Sequence, residues 1–260
     1  MIDAHTHLQS RRIPIDLVIA RAERSGVVGC VSCGCGPHDW GDLEVLTRSS
    51  FPVYPQFGLH PWYVKEVDEG WQVKLRELLE RYHGAGIGEI GLDSHFKGLA
   101  DFQSQMTACE WQLSLAEELN RPVTFHCLKA HAETVLLLKR TKFKGHFVMH
   151  AFNGSVDQVK QLTKVSENVY FSIGCRSVNA QVIACIPLTR ILAETDSPDQ
   201  VGDPSDLCPE QLRDDSGKTL NDPSQLPLVV DRIAKAHGIT FDEAVRVTRE
   251  NTVRAYSLPV

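Results

Sequence analysis

Eight short apolar runs recur along the 260-residue chain, and most are followed by a longer stretch with helical periodicity. Successive runs end 22 to 37 residues apart, which suits one strand, one loop and one helix. The runs end near His7, Cys33, His60, Glu89, His126, His150, Gly174 and Asp196. This alternation is typical of α/β proteins with a parallel sheet. Eight such units in about 250 residues predict a TIM (β/α)8 barrel.

An open doubly wound sheet is the alternative architecture. It would place a glycine-rich phosphate loop after the first strand, whereas here the first run leads directly into His5, Thr6 and His7. The barrel is therefore favoured. Residues 197–225 are too polar to pack alone and predict a long loop over the barrel mouth. No domain boundary is evident, so we expect residues 1–260 to form a single domain.

Amphipathic stretches between the apolar runs predict the helices. A further helix is expected near the C-terminus, followed by another that Thr240 would cap. The predicted helices cover residues 14–25, 70–82, 101–120, 130–140, 155–164 and 226–237.

Composition excludes several classes of protein. With 42% hydrophobic and 23% charged residues, the chain is neither disordered nor a coiled coil. Its net charge of -6 means that any contact with nucleic acid must come from a local patch. No apolar run approaches the roughly 18 residues of a spanning helix, and the N-terminus lacks the apolar stretch of a signal peptide. We therefore expect a cytoplasmic protein with no membrane partner.

The chain contains eight cysteines, and three of them lie close together. Cys30, Cys33 and Cys35 look like half of a zinc site, but no second pair of ligands follows at suitable spacing. They lie in an apolar run, where a free cysteine behaves as a small hydrophobic residue. We therefore predict buried thiols in a reducing compartment.

Residues that bind metals fall where the predicted strands end. His5 and His7 are two residues apart on a strand, so both side chains point to the same side and can bind one cation. In a barrel the C-terminal strand ends converge on the face that holds the active site. The six residues that we predict to meet there in a metal centre are His5, His7, Glu89, His126, His150 and Asp196.

Several of these residues belong to longer motifs that resemble those of the TatD family of metal-dependent hydrolases, within the amidohydrolase-like barrel superfamily. The resemblance spans almost the whole chain. Its motifs are DAHTHL (3–8), FGLHP (57–61), GEIGLD (88–93), PVTFH (122–126), HAFNG (150–154), ETDSP (194–198) and VTRENTVRAYSLP (247–259).

The resemblance implies two divalent metal ions. One would be held by His5, His7, Glu89 and Asp196, and the other by Glu89, His126 and His150. Glu89 would bridge them, since a carboxylate offers two oxygens whereas a neutral imidazole offers one lone pair. Asp196 would act as the general base on a metal-activated water, with Glu89 as the second catalytic residue. The ligand types leave open whether the ions are Zn, Mn or Mg.

Three further residues are candidates for binding substrate: His60, Lys129 and Arg176. His60 would either contact a phosphate or cap its own loop. Lys129 comes one residue after the position where many family members have arginine. Arg176 is the nearest cation in a stretch that lacks the family's usual lysine.

Five more residues near predicted strand ends have two interpretations each. Glu194 would orient a metal-bound imidazole or make a buried structural hydrogen bond. Asp93 would orient the Glu89 loop, although an exposed turn carboxylate is the favoured interpretation. Trp40, Trp62 and Phe96 would stack an unpaired base or pack over the barrel mouth.

The sequence therefore predicts a metal-dependent deoxyribonuclease. Two divalent ions outweigh the two carboxylates, so the site is cationic and suits a phosphodiester. A narrow mouth favours an exonuclease acting on single-stranded or frayed DNA ends. The alternatives are an ester or amide hydrolase, such as an aminoacyl-tRNA deacylase on the same ions, and a non-catalytic barrel, which would have lost a ligand. Oligomeric state is left open.

Overall fold

The structure is a computed structural model that describes residues 1–96, 98–176, 178–203 and 211–259. Within these ranges eight parallel strands follow one another in chain order. They are β1 (Asp3–Thr6), β2 (Cys30–Cys33), β3 (Val53–Gln56), β4 (Ile87–Asp93), β5 (Val123–Leu128), β6 (Phe147–Met149), β7 (Val169–Ile173) and β8 (Ile191–Ala193).

The strands form two arcs, β1 to β3 and β4 to β8, and backbone contacts join the arcs at both seams. At one seam Gln56 pairs with Gly86, and at the other Thr6 pairs with Ser197. The His7 amide also donates to the Ser197 carbonyl at 2.7 Å. The sheet is thus closed, which leaves no unpaired edge. The predicted TIM barrel is confirmed.

Helices cover the outside of the barrel, and the predicted ones are confirmed to within one residue at each end. Two short helices, Trp40–Leu46 and Ala180–Cys185, were not predicted, because a helix of seven or six residues is too short to show a clear periodicity. The helices are α1 (Ile15–Arg24), α2 (Trp40–Leu46), α3 (Trp71–Arg81), α4 (Phe102–Leu119), α5 (His131–Thr141), α6 (Val156–Val165), α7 (Ala180–Cys185), α8 (Leu226–His237) and α9 (Phe241–Tyr256).

Side-chain caps explain where three of these helices begin. Asp101 accepts a hydrogen bond from the Ser104 amide at 2.8 Å before α4. Ser155 and Gln158 form a capping box at the start of α6. Thr240 accepts from the Glu243 amide at 3.2 Å, which confirms the predicted cap of α9.

A small hydrophobic cluster lies inside the barrel, and it includes the last residues of α9. The Tyr256 hydroxyl donates to the Ala4 carbonyl at 2.9 Å and accepts from the Thr124 hydroxyl at 3.2 Å. Ala4 is in β1 and Thr124 is in β5, on opposite sides of an eight-stranded barrel. A side chain that reaches both must cross the interior, so Tyr256 plugs the N-terminal end of the barrel.

The prediction that the polar segment after β8 is a loop throughout is wrong in part. Its described part contains a short antiparallel pair, β9 (Leu212–Arg213) and β10 (Thr219–Leu220). Ser197 donates from its hydroxyl to the Asn221 carbonyl at 3.0 Å, which ties the segment to the chain just beyond β8. Residues 204–210, which belong to the same prediction, lie outside the described residues.

Each cysteine in the described ranges is a free thiol. Cys30 and Cys33 are fully buried in β2, as predicted, whereas Cys35 is only partly buried. Among the described helices, none combines the length and apolar character needed to cross a bilayer.

We expect Tyr256 to be a major stabilising contact of the barrel. Tyr256→Phe leaves the Ala4 carbonyl and the Thr124 hydroxyl without this partner and should lower the free energy of unfolding by about 1–3 kcal/mol. Tyr256→Ala also opens a cavity and should cost about 3–5 kcal/mol. Urea unfolding followed by circular dichroism measures both. Leu136→Ala, at a side chain 63% exposed on α5, is the control. Equal midpoints for Tyr256→Ala and this control would contradict the interpretation.

Candidate metal centre

The first pair of histidines converges on two carboxylates, as predicted. The Nε2 atoms of His5 and His7 lie 3.3 Å apart. Each is 3.4 Å from Asp196 Oδ1, and they lie 3.4 and 3.3 Å from Glu89 Oε2. His7 Nδ1 is 2.7 Å from the Cys33 carbonyl, which can only accept a hydrogen bond. In the neutral imidazole Nδ1 therefore carries the proton, and the Nε2 lone pair remains free for a cation.

The second pair of histidines contacts the other oxygen of the same glutamate. Glu89 Oε1 lies 2.9 Å from His126 Nδ1 and 2.8 Å from His150 Nε2. These two nitrogens are 3.3 Å apart. Glu89 therefore lies between two imidazole pairs and presents one oxygen to each, which is the arrangement that a bridging ligand requires.

A bulge in β4 directs Glu89 into the cluster. Pairing between β4 and β5 runs from Ile87 opposite Val123 to Ile90 opposite Phe125, so β4 gains one residue over that interval. Glu89 lies in this interval, and bulges commonly redirect a side chain. The apolar runs predict Glu89 and His126 at strand ends, and this part of the prediction is wrong. Both lie inside their strands, because β4 and β5 continue beyond them to Asp93 and Leu128.

Two glycines of the GEIGLD motif allow β4 and β5 to approach closely. Gly91 has a φ of 144°, and a Cβ there would overlap the carbonyl oxygen of His126. A Cβ at Gly88 would lie 2.6 Å from the Thr124 Cβ. Glycine is therefore needed at both positions to bring Glu89 next to His126.

Asp196 is fixed at the seam where the barrel closes. Its amide donates to the His5 carbonyl at 3.0 Å, and its φ of 56° lies in the left-handed region that aspartate tolerates better than most residues. Behind it, Asp3 accepts from the Thr195 hydroxyl at 2.6 Å and from the Thr195 amide at 3.0 Å. These bonds join β1 to the chain beyond β8 and set the position of Asp196 opposite His5.

Electrostatics favour cation binding at this cluster. Burial raises the pKa of Glu89 and of Asp196, but the surrounding imidazoles outweigh burial and hold both pKa values below the usual range. Burial lowers the pKa of His150, but the charge of Glu89 outweighs it and raises that pKa to about 9. The carboxylates are thus ionised and need positive charge nearby. Three groups of side chains each bring their ligand atoms within 4.8 Å of one another, which fits metal binding. The groups are His5, His7 and Asp196; His5, Glu89 and His150; and His60, Glu89 and His126.

Comparisons with known proteins identify the family. The model of the TatD related DNase family matches residues 2–257. The chain belongs to this family.

Relatives and a solved structure resemble this TatD-family chain over nearly its whole length. It is 31% identical to a Bacillus subtilis protein named uncharacterized metal-dependent hydrolase YabD, with 99% of each chain covered. It is 30% identical to the 3'-5' ssDNA/RNA exonuclease TatD of Erwinia tasmaniensis, covering 94% of this chain and 93% of the relative. The crystal structure of YJJV, a TatD homolog from Escherichia coli, superposes with a TM-score of 0.87 at 25% identity, covering 100% of this chain and 98% of that one. This TatD-family chain is a metal-dependent hydrolase.

His60 lies beside the cluster and also caps its own loop. Its Nδ1 accepts from the Trp62 amide at 3.2 Å, so in the neutral imidazole the proton is on Nε2. That nitrogen lies 3.2 Å from Glu89 Oε1 and can donate to it. Burial lowers the pKa of His60 to about 4, which keeps the ring neutral. The cap of its own loop is thus observed, and the remaining ring proton is directed at Glu89, while contact with substrate stays a prediction.

Two buried carboxylates lie behind the second histidine pair. Asp93 Oδ2 is 3.5 Å from His126 Nε2, and Glu194 Oε1 is 3.4 Å from His150 Nδ1. Glu194 also accepts from the Ala151 amide at 2.6 Å. The expectation of an exposed turn carboxylate at Asp93 is wrong, since this residue is 2% exposed. Each carboxylate lies near the far nitrogen of a histidine whose other nitrogen faces Glu89, which is the position from which a carboxylate can orient an imidazole.

Lys129 and Arg176 are exposed, and the structure shows no contact between either side chain and the cluster among the described residues. Both follow strands at the end of the barrel where the cluster lies. They remain predicted substrate contacts.

Cys35 is a neighbour of the site that we did not predict from the sequence. Its Sγ lies 3.8 Å from His7 Nδ1, and its ligand atom is within 4.8 Å of those of His7 and Glu89. Burial raises the pKa of Cys35 to about 11, so it is a neutral thiol at pH 7. Its position two residues beyond β2 is the signal that could have placed it near the other strand ends.

We expect metal uptake to release protons. Because the pKa of His150 is raised to about 9, most of its rings carry a second proton at neutral pH in the metal-free protein, and an ion must displace that proton to bind the nitrogen. Apparent affinity for Mn²⁺ should therefore rise from pH 6.5 to 8.5, while the number of protons released falls. Isothermal titration calorimetry in buffers of different ionisation enthalpy counts those protons. Binding heats that are independent of the buffer at every pH would contradict this expectation.

Proposed function

We propose that this chain is a metal-dependent nuclease that removes nucleotides from the ends of single-stranded nucleic acid. The position of Glu89 between two imidazole pairs is the observation that carries the proposal, because it suits two ions sharing one carboxylate. Membership in the TatD related DNase family and the relative named as an ssDNA/RNA exonuclease support the same reaction.

Divalent ions bound at this cluster, whether Zn, Mn or Mg, would lower the pKa of a water molecule and neutralise the oxygens of a phosphodiester. Two such ions outweigh the charges of Glu89 and Asp196. The site would then be cationic within a chain of net charge -6, which suits a polyanionic substrate entering from solvent.

Asp196 is our candidate for the general base. Its side chain is ionised at neutral pH, because His5 and His7 lower its pKa. It is more exposed than Glu89, at 7% against 2%, and therefore better placed to meet water. Its backbone bond to His5 fixes its orientation. Asp196 would accept the proton of the attacking water. Glu89 would hold the two histidine pairs, and any ions they bind, at a fixed distance from each other.

Lys129 and Arg176 would contact the phosphates on either side of the cleaved bond. They follow β5 and β7, so both lie at the end of the barrel that holds the cluster. Exposed lysine and arginine side chains can follow a flexible strand without reading its sequence.

Replacing the proposed base tests the mechanism. Asp196→Asn should reduce kcat by about 10²–10⁴-fold while leaving the circular dichroism spectrum unchanged, because the amide cannot accept the proton. Asp199→Asn is the matched control, since Asp199 is 51% exposed and pairs with Arg12 on the surface. It should retain the normal rate. Metal content of both variants is measured alongside. A normal rate from metal-loaded Asp196→Asn would refute the assignment.

A substrate panel tests the reaction itself. We expect cleavage from one end of a labelled single-stranded oligonucleotide, lost on chelation and restored by a divalent ion. A blunt duplex should be cleaved about tenfold more slowly, because opening one terminal step costs about 1.4 kcal/mol. An aminoacyl ester assayed in parallel should not be hydrolysed. Hydrolysis of the ester with no cleavage of any oligonucleotide would overturn the proposed function.

A further inference from the structure

Two aromatic rings stack beside the metal cluster. Trp62 lies in the short 3-10 helix Pro61–Tyr63 after β3, and Phe96 lies in the loop after β4. Their ring centroids are 5.4 Å apart and the planes differ by 11°. Trp62 remains 38% exposed, although Phe96 covers part of its surface. More than a third of the Trp62 surface therefore stays open to solvent beside the stack.

This ring pair borders the cluster directly. The Trp62 centroid is 4.9 Å from that of His60 and 6.2 Å from that of His126. Those two imidazoles lie 3.2 and 2.9 Å from Glu89 Oε1. A nucleotide whose phosphate is at the cluster would have its sugar and base within reach of Trp62.

One carboxylate holds both rings in place. Trp62 Nε1 donates to Asp93 Oδ2 at 2.6 Å. The other oxygen, Asp93 Oδ1, accepts from the amides of His95 at 2.8 Å and Phe96 at 3.0 Å. Gly98 packs against the Phe96 ring so closely that a Cβ there would overlap it. The stacking surface is thus formed before any ligand binds, which reduces the entropy lost on binding.

Trp40 shows what a purely structural tryptophan looks like in this chain. It lies at the start of α2, is 3% exposed, and donates from Nε1 to the Gly58 carbonyl at 3.0 Å. It packs in the core and cannot stack a base. Trp62 also donates its ring N–H to a partner, Asp93, but it stays 38% exposed beside the metal cluster. Core packing explains Trp40 and does not explain the exposure of Trp62.

We propose that Trp62 and Phe96 form a subsite for an unpaired nucleobase of the nucleotide next to the cleaved bond. This inference rests on the proposed nuclease function. Every base has a face that can stack on an aromatic side chain, so the subsite accepts any sequence. A base within a duplex is already stacked and paired and cannot enter. The subsite therefore selects single-stranded or frayed ends.

Single abasic residues test the subsite. A series of single-stranded oligonucleotides carries one abasic residue at successive positions from the cleaved end. For the unmodified protein, kcat/KM should fall about tenfold or more at one position and little at the others. Trp62→Ala should cleave the normal and that abasic substrate at similar rates. Trp62→Phe, which keeps an aromatic ring but loses the bond to Asp93, should retain most of the base dependence.

Two further variants complete the comparison. Phe241→Ala removes an aromatic side chain of matched exposure, 39%, at the start of α9 and should keep the full base dependence. Phe96→Leu leaves the Trp62–Asp93 bond in place and should weaken the base dependence severalfold. It provides the comparison if Trp62→Ala does not fold.

The outcomes separate the two proposals. Equal cleavage of all abasic substrates by the unmodified protein would overturn the subsite and leave the nuclease function intact. Full base dependence in Trp62→Ala, or in Phe96→Leu where Trp62→Ala does not fold, would also overturn it. Cleavage of no oligonucleotide at all would overturn the nuclease function itself.

Discussion

A buried carboxylate shared between two pairs of imidazoles is the interaction on which this site depends. Glu89 is 2% exposed, and an ionised carboxylate there loses most of its hydration. Nitrogens on both sides offset that loss, with His126 and His150 at 2.9 and 2.8 Å from one oxygen. Protonated imidazoles or divalent cations can supply the positive charge that the carboxylate needs. Proton and metal occupancy would therefore be linked, because the residues that stabilise the metal-free protein are the ones predicted to bind the ions.

The barrel supplies the convergence that this carboxylate requires. Closing the sheet at Thr6 and Ser197 brings Asp196 to the first strand, although the two ends of that contact are far apart in sequence. The bulge in β4 and the absence of a side chain at Gly91 bring Glu89 against β5. Tyr256 fills the opposite end of the barrel. The Tyr256 plug thus lies at the N-terminal end of the barrel and the carboxylate–imidazole cluster at the C-terminal end, where active sites of this architecture are found.

Asp93 connects the chemistry to the surface that we assign to base binding. It faces His126 Nε2 on one side, and it holds Trp62 and the Phe96 loop through its two oxygens. A single buried carboxylate thus lies beside a predicted metal ligand and holds the two stacked rings in place. This arrangement would place phosphate and base in a fixed relation to each other, which is what cleavage of one bond in a flexible strand requires.

Local patterns in the sequence determined the succession of strands and helices, and strand positions together with the family motifs predicted the six clustered residues. Apolar periodicity reveals strands and helices one element at a time, and His5 and His7 share a side because a strand repeats every two residues. Other features depended on distances between elements that are remote along the chain. The bulge that redirects Glu89, the burial of Asp93, the approach of Cys35 to His7 and the exposed stack of Trp62 on Phe96 are of this kind. Only the closed tertiary structure decided them, because no local pattern encodes how far apart two strands or loops will lie.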